Sequence, residues 1–192
     1  MDESKLHCGA NRLHTQAHTI SRVMIAGAFA SLLQMVWIPI VCPESRSVEG
    51  TYRNPALGYS IKIPNGMKGV TGDQDGPERG VRISLASGGE IVVFGEPNSL
   101  EWKSPEEGVR DLLKSRTCNS GQREIHRARI GKLNGASGSL ICGDRVLKTL
   151  LAFRSRGGPI YWIQLETSRA HESEDEAILE TVAASFKLIR WQ

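Results

Sequence analysis

Residues 124–167, EIHRARIGKLNGASGSLICGDRVLKTLLAFRSRGGPIYWIQLET, decide the fold. Four extended runs, Glu124 to Ile130, Ala136 to Cys142, Val146 to Arg154 and Ile160 to Thr167, are separated by Lys132-Leu133-Asn134-Gly135, Gly143-Asp144 and Gly157-Gly158-Pro159. Connections this short cannot hold a crossover helix, so each strand must fold back on the one before it, and the segment is predicted to be an antiparallel meander. Tyr161 and Trp162 are adjacent on the last run and must point to opposite faces of the sheet.

Working towards the N-terminus, Val81, Ile83 and Leu85 alternate with Arg82 and Ser84, and Ser87-Gly88-Gly89 leads into Ile91-Val92-Val93-Phe94. This predicts a hairpin whose second strand, apolar at consecutive positions, lies inside the sheet. Tyr59, Ile61 and Ile63 alternate with Ser60 and Lys62 before Pro64-Asn65-Gly66 ends the run, which predicts another strand. Ser104-Pro105-Glu106-Glu107 supplies a Ser cap, Pro at the first helical position and Glu at the third, and Val109, Leu112 and Leu113 give that helix a buried stripe. A last helix is predicted from Ser173, with Glu176 three residues on, burying Ile178, Leu179, Val182, Ala183 and Phe186. Strands grouped apart from helices predict an α+β domain, an antiparallel sheet covered by two helices.

Thr51-Tyr52-Arg53-Asn54-Pro55 followed by Leu57-Gly58-Tyr59-Ser60-Ile61-Lys62-Ile63-Pro64 resembles the opening of the PsbP/Mog1-like domains, and Ile178-Leu179-Glu180-Thr181-Val182-Ala183-Ala184-Ser185-Phe186 is similar to their last helix. The resemblance implies an α/β/α sandwich around an antiparallel sheet, used as a binding or assembly module without catalytic activity. It carries no functional residue onto this chain.

Residues 1–22 form a polar leader, and Val23 to Cys42 is mostly apolar and long enough for a helix to cross a bilayer core of about 30 Å. Residues 23–47 read either as a signal peptide cut after Ser47, with Ser45 and Ser47 as the small residues before the cut, or as a membrane anchor. Both readings put residues 48–192, a single domain by length, outside the cytoplasm as an exported periplasmic or extracellular domain. Cys118 and Cys142 are the thiols left in that domain, and an even pair in an oxidising compartment favours a disulfide over two buried free thiols. In the leader, Cys8, His14 and His18 lack a fourth ligand at metal spacing, and no metal or cofactor is expected.

Charge is unevenly spread. Arg110 to Arg156 holds eleven Lys and Arg against Asp111, Glu124 and Asp144, a formal +8, while the stretches on either side each carry −3. Arg123, Arg127, Arg129 and Arg154 are the candidate anion-binding face, unless the acidic last helix neutralises them within the fold. Nucleic acid is not expected, because the basic region has no interleaved aromatics.

His126 shares a strand face with Ala128 and Ile130 and is expected to be half-buried packing. Gly135-Ala136-Ser137-Gly138-Ser139 lacks the strand-to-helix elbow of a serine hydrolase, and Gly72-Asp73-Gln74-Asp75-Gly76 lacks the carboxylates of a calcium loop at its ends. The sequence therefore reads as an exported or membrane-anchored binding domain whose partner is an envelope protein or an anionic surface. The alternative is a small envelope hydrolase or ligand-processing enzyme using His126 and a carboxylate such as Asp144.

Overall fold

A computed structural model describes residues 45–72, 80–116 and 124–190. The leader, the apolar stretch from Val23 to Cys42, most of the Gly72–Gly76 loop, Cys118 and Arg123 lie outside the described residues.

Gly88 and Gly89 turn the expected hairpin, pairing β5 (Gly80–Ser84) with β6 (Glu90–Glu96) so that Val81 faces Val93 and Ile83 faces Ile91. The meander follows as β7 (Ile125–Ile130), β8 (Leu133–Cys142), β9 (Arg145–Phe153) and β10 (Ile160–Ser168). Because β10 pairs with β6 as well as β9, hairpin and meander fuse into one antiparallel sheet, extended by β4 (Gly69–Thr71) and β1 (Arg46–Val48) in the order β1-β4-β5-β6-β10-β9-β8-β7. β6 is interior, which accounts for its consecutive apolar residues.

The first meander turn differs from expectation. It is Gly131-Lys132, with Ile130 directly opposite Leu133, so β8 starts at Leu133 and not at Ala136. Gly131 has φ +57°, the left-handed value a two-residue hairpin turn of this kind needs at its first position.

A second sheet was not legible in the sequence. β2 (Thr51–Asn54), β3 (Tyr59–Lys62) and β11 (Lys187–Leu188) pair in the order β11-β3-β2, so the chain's last strand returns to its beginning. Tyr52, Tyr59 and Ile61 from this small sheet pack with Val81, Ile83, Ile91, Val93, Tyr161, Ile163 and Leu165 of the large one, under Leu179, Val182, Ala183 and Phe186 of the last helix, α2 (Glu172–Ser185).

The other face of the meander is covered by α1 (Pro105–Lys114), whose Val109 and Leu113 pack on Ala136, Leu140, Leu147 and Leu151 beside Trp102. Its start is built as predicted: Ser104 Oγ accepts from the Glu107 N–H at 3.3 Å, with Pro105 first in the helix. Trp102 Nε1 then donates to Asp111 Oδ2 at 3.1 Å, strapping the preceding loop to the helix. α1 sits close on β8 because Gly138 has no side chain; a Cβ there would come within 2.7 Å of Val109 and 2.8 Å of Leu113.

The start of α2 corrects the sequence reading. The chain enters through a 3-10 turn, Arg169–His171, and the helix begins at Glu172, so Ser173 lies inside it and caps nothing. Asp175 anchors this end instead. It is 1% exposed, and its carboxylate accepts from Ser87 Oγ at 2.7 Å and from the Thr167 hydroxyl. As expected, Tyr161 and Trp162 take opposite faces: Tyr161 is buried under the small sheet, and half-buried Trp162 meets Phe94 edge-on at 5.3 Å.

Candidate functional site

A groove of about 650 Å³ opens between α2 and the last three strands of the meander's open end, β7 to β9. Strand register builds its floor, with His126 directly opposite Ser137, Ser137 opposite Leu150, and Ser139 opposite Lys148. Leu179 and Ala183 of α2 lie buried behind its wall, Ala184 and half-buried Leu150 give it accessible apolar surface, and Glu176 and Glu180 line the helix side.

Lys148 decides what the floor can do. Its Nζ lies 3.1 Å from Glu172 Oε1 and also pairs with Glu176 Oε2. Burial pulls the ammonium's pKa down, but hydrogen bonds and charge from Glu176 and Glu172 outweigh it and hold the pKa above the usual lysine range. A lysine opposite a serine could act as a base only when neutral, and this one is kept charged. Through these two ion pairs Lys148 ties α2 to the sheet.

His126 corrects an expectation. It shares the face of Ala128 and Ile130 as predicted, but its side chain is 66% exposed, because among the described residues β7 is the terminal strand of the sheet and nothing covers its position. Its Nε2 lies 3.4 Å from Glu124 Oε2 on the surface. Asp144 is far off: it sits in the turn beyond β8, seven residues past Ser137, which at about 3.3 Å per residue is roughly 20 Å along the strand. The His126–Asp144 dyad of the hydrolase reading is not assembled.

Of the candidate anion-binding face, the structure brings two residues together. Arg127 and Arg129 are both exposed on the side of β7 away from α2, bordering a second depression with Pro105, Glu106, Asn134 and Gly135. Arg154 does not join them. It is half-buried and hydrogen-bonds the side chain of Tyr161, whose hydroxyl donates to the Leu57 carbonyl at 2.8 Å. Arg123 lies outside the described residues.

Cys142, half-buried against the α1-side core, is disulfide-bonded. Its expected partner Cys118 lies outside the described residues. Among the described residues no group of His, Cys, Asp and Glu could hold a metal ion.

Sequence reasoning missed Lys148, Glu172 and Glu176 as one unit. A signal existed: a lone lysine inside the apolar run Val146 to Phe153, and two glutamates one helical turn apart.

No family model and no curated protein matches the chain. Among solved structures it is similar to the solution structure of cyanobacterial PsbP (CyanoP) from Synechocystis sp. PCC 6803, with TM-score 0.53 and 15% identity, covering 77% of this chain and 94% of that one. It also matches the crystal structure of the Saccharomyces cerevisiae Ran-binding protein Mog1p, with TM-score 0.47 and 11% identity, covering 77% of this chain and 96% of that one. At the level of fold the chain is PsbP/Mog1-like, a mostly antiparallel sheet with two helices, as the resemblance at its two ends implied.

Proposed function

We propose that this is a binding domain held outside the cytoplasm, which engages a partner protein at the open end of the meander and performs no catalysis. The observation that carries the reading is the ion pairing of Lys148 with Glu172 and Glu176, which leaves the groove apolar and polar surface but no neutral base against Ser139. The PsbP-like fold is consistent with a binding or assembly role. Export draws on the Val23 to Cys42 stretch, as a cleaved signal or a membrane tether, and on the disulfide at Cys142, which belongs to an oxidising compartment. Cys118 is its proposed partner.

The test is site-specific photo-crosslinking of the full chain in its own cells, with the reactive residue at His126 or Ser139 and a control at exposed Asn65. Discrete protein adducts from the first two positions and none from Asn65 are expected. Esterase or phosphatase activity in the purified chain that disappears in His126→Ala would replace this reading with the hydrolase alternative.

A second reading, attachment to an anionic surface, draws on Arg127 and Arg129 being exposed on one side of β7.

A further inference from the structure

Three features meet at β7. It is the terminal strand of the eight-stranded sheet among the described residues, it carries two exposed arginines on one face, and it borders the α2 groove on the other. A terminal strand presents a row of backbone donors and acceptors that a further strand can take up.

The two-residue turn sets which groups these are. Ile130 and Leu133 close it as a hydrogen-bonded pair, and antiparallel pairing alternates from there, so Ala128 and His126 also turn their backbone groups into β8. Arg127 and Arg129 therefore direct their N–H and C=O outward.

We infer that the outer edge of β7 accepts an added strand from a partner protein, an extended segment with acidic residues two apart and an apolar residue between them. This rests on the reading of the domain as a protein-binding module. Residues of the incoming strand opposite Arg127 and Arg129 lie on the arginine side, where carboxylates complement two cations. The residue between them faces Ala128, too small to fill the space, and turns into the groove that half-buried Leu150 and exposed Ala184 line. Main-chain bonds supply affinity and these alternating side-chain positions supply specificity, as in other strand-addition complexes. A second copy of β7 is disfavoured, because it would set arginine against arginine.

The experiment measures fluorescence anisotropy of a labelled ten-residue peptide alternating Glu with Val and Leu, against the full chain in mild zwitterionic detergent. Three comparisons read the inference: a peptide with Lys for every Glu, a peptide N-methylated at two successive Glu residues, and the variants Arg127→Ala and Arg127→Pro. Proline removes the outward N–H of Arg127 without touching the ladder to β8, while both variants lose the same charge. Expected are at least ten-fold weaker binding of the methylated and the Lys peptides, and a several-fold larger loss for Arg127→Pro than for Arg127→Ala.

Equal binding of methylated and unmethylated peptides overturns the inference, and because that comparison leaves the protein unchanged, a misfolded proline variant cannot mask it. So does binding insensitive to methylation that anionic phosphatidylglycerol vesicles displace, which would assign the arginines to a lipid surface. If photo-crosslinks from His126 form while the Glu peptide does not bind, the binding-domain reading stands and strand addition falls.

Discussion

Asp175, in the first turn of α2, accepts a 2.7 Å hydrogen bond from Ser87, which lies 88 residues earlier in the turn between β5 and β6. With the Thr167 hydroxyl as a second donor, this buried carboxylate joins helix, hairpin and meander at one point. Hydrogen bonds to a charged group contribute about 1.5–3 kcal/mol each, and Asp175→Ala also leaves two hydroxyls without their acceptor. We expect a loss of about 2–4 kcal/mol in urea unfolding, and a smaller loss for Ser87→Ala. Equal stability of Asp175→Ala and wild type would show that the helix start is held by packing alone.

Phe186, just past α2, is 2% exposed, stacks on Tyr59 at 5.3 Å and meets Tyr161 at 5.0 Å. Phe186→Ala should destabilise by about 3–5 kcal/mol, the range of buried phenylalanine truncations. A melting temperature like that of wild type would contradict this placement.

Alkaline pH should unfold the domain through its tyrosines. Burial raises the Tyr59 hydroxyl far above its ordinary value of 10.0, with Tyr52 adding to the effect, and burial also raises Tyr52 and Tyr161. A group whose folded pKa is raised gives its full stabilisation below the unfolded value and loses it as pH climbs towards the folded one. Stability should therefore be flat up to about pH 10 and fall above it, with Tyr59→Phe falling less steeply. Denaturant titrations from pH 8 to 11.5 measure this, and parallel curves for the two proteins would refute the assignment to Tyr59.

Cys118 is expected to be the other half of the disulfide at Cys142. In unreduced protein, mass spectrometry should find the two joined, and Cys118→Ser should lower stability by roughly 3 kcal/mol in the chain-entropy account. Two alkylatable thiols would refute the pairing.

Periodicity made the meander, the β5–β6 hairpin and both helices legible, because each rests on local alternation or helical spacing. The small sheet could not be read this way: β11 has two residues, and it pairs with Tyr59 and Ser60 from the other end of the domain. His126 shows a related limit. Alternation assigns it a face, but whether that face is covered depends on where α2 ends and on β7 being the terminal strand among the described residues. The pairing of Lys148 with Glu172 and Glu176 joins a strand to a helix more than twenty residues away, which no local pattern reveals. Arg154 was counted as surface charge because nothing local to it reveals Tyr161.

Gly138 carries a consequence for anyone who scans this protein by saturation mutagenesis. The seat of α1 on β8 is made of missing volume, so even in Gly138→Ala the side-chain ends of Val109 and Leu113 must shift to admit the new methyl. Side chains larger than alanine would need still more room, so the position would rank as intolerant of them although glycine has no side chain with which to do chemistry. Ranking positions by intolerance alone would then direct attention to the α1 face, opposite the groove where His126, Ser139 and Lys148 lie.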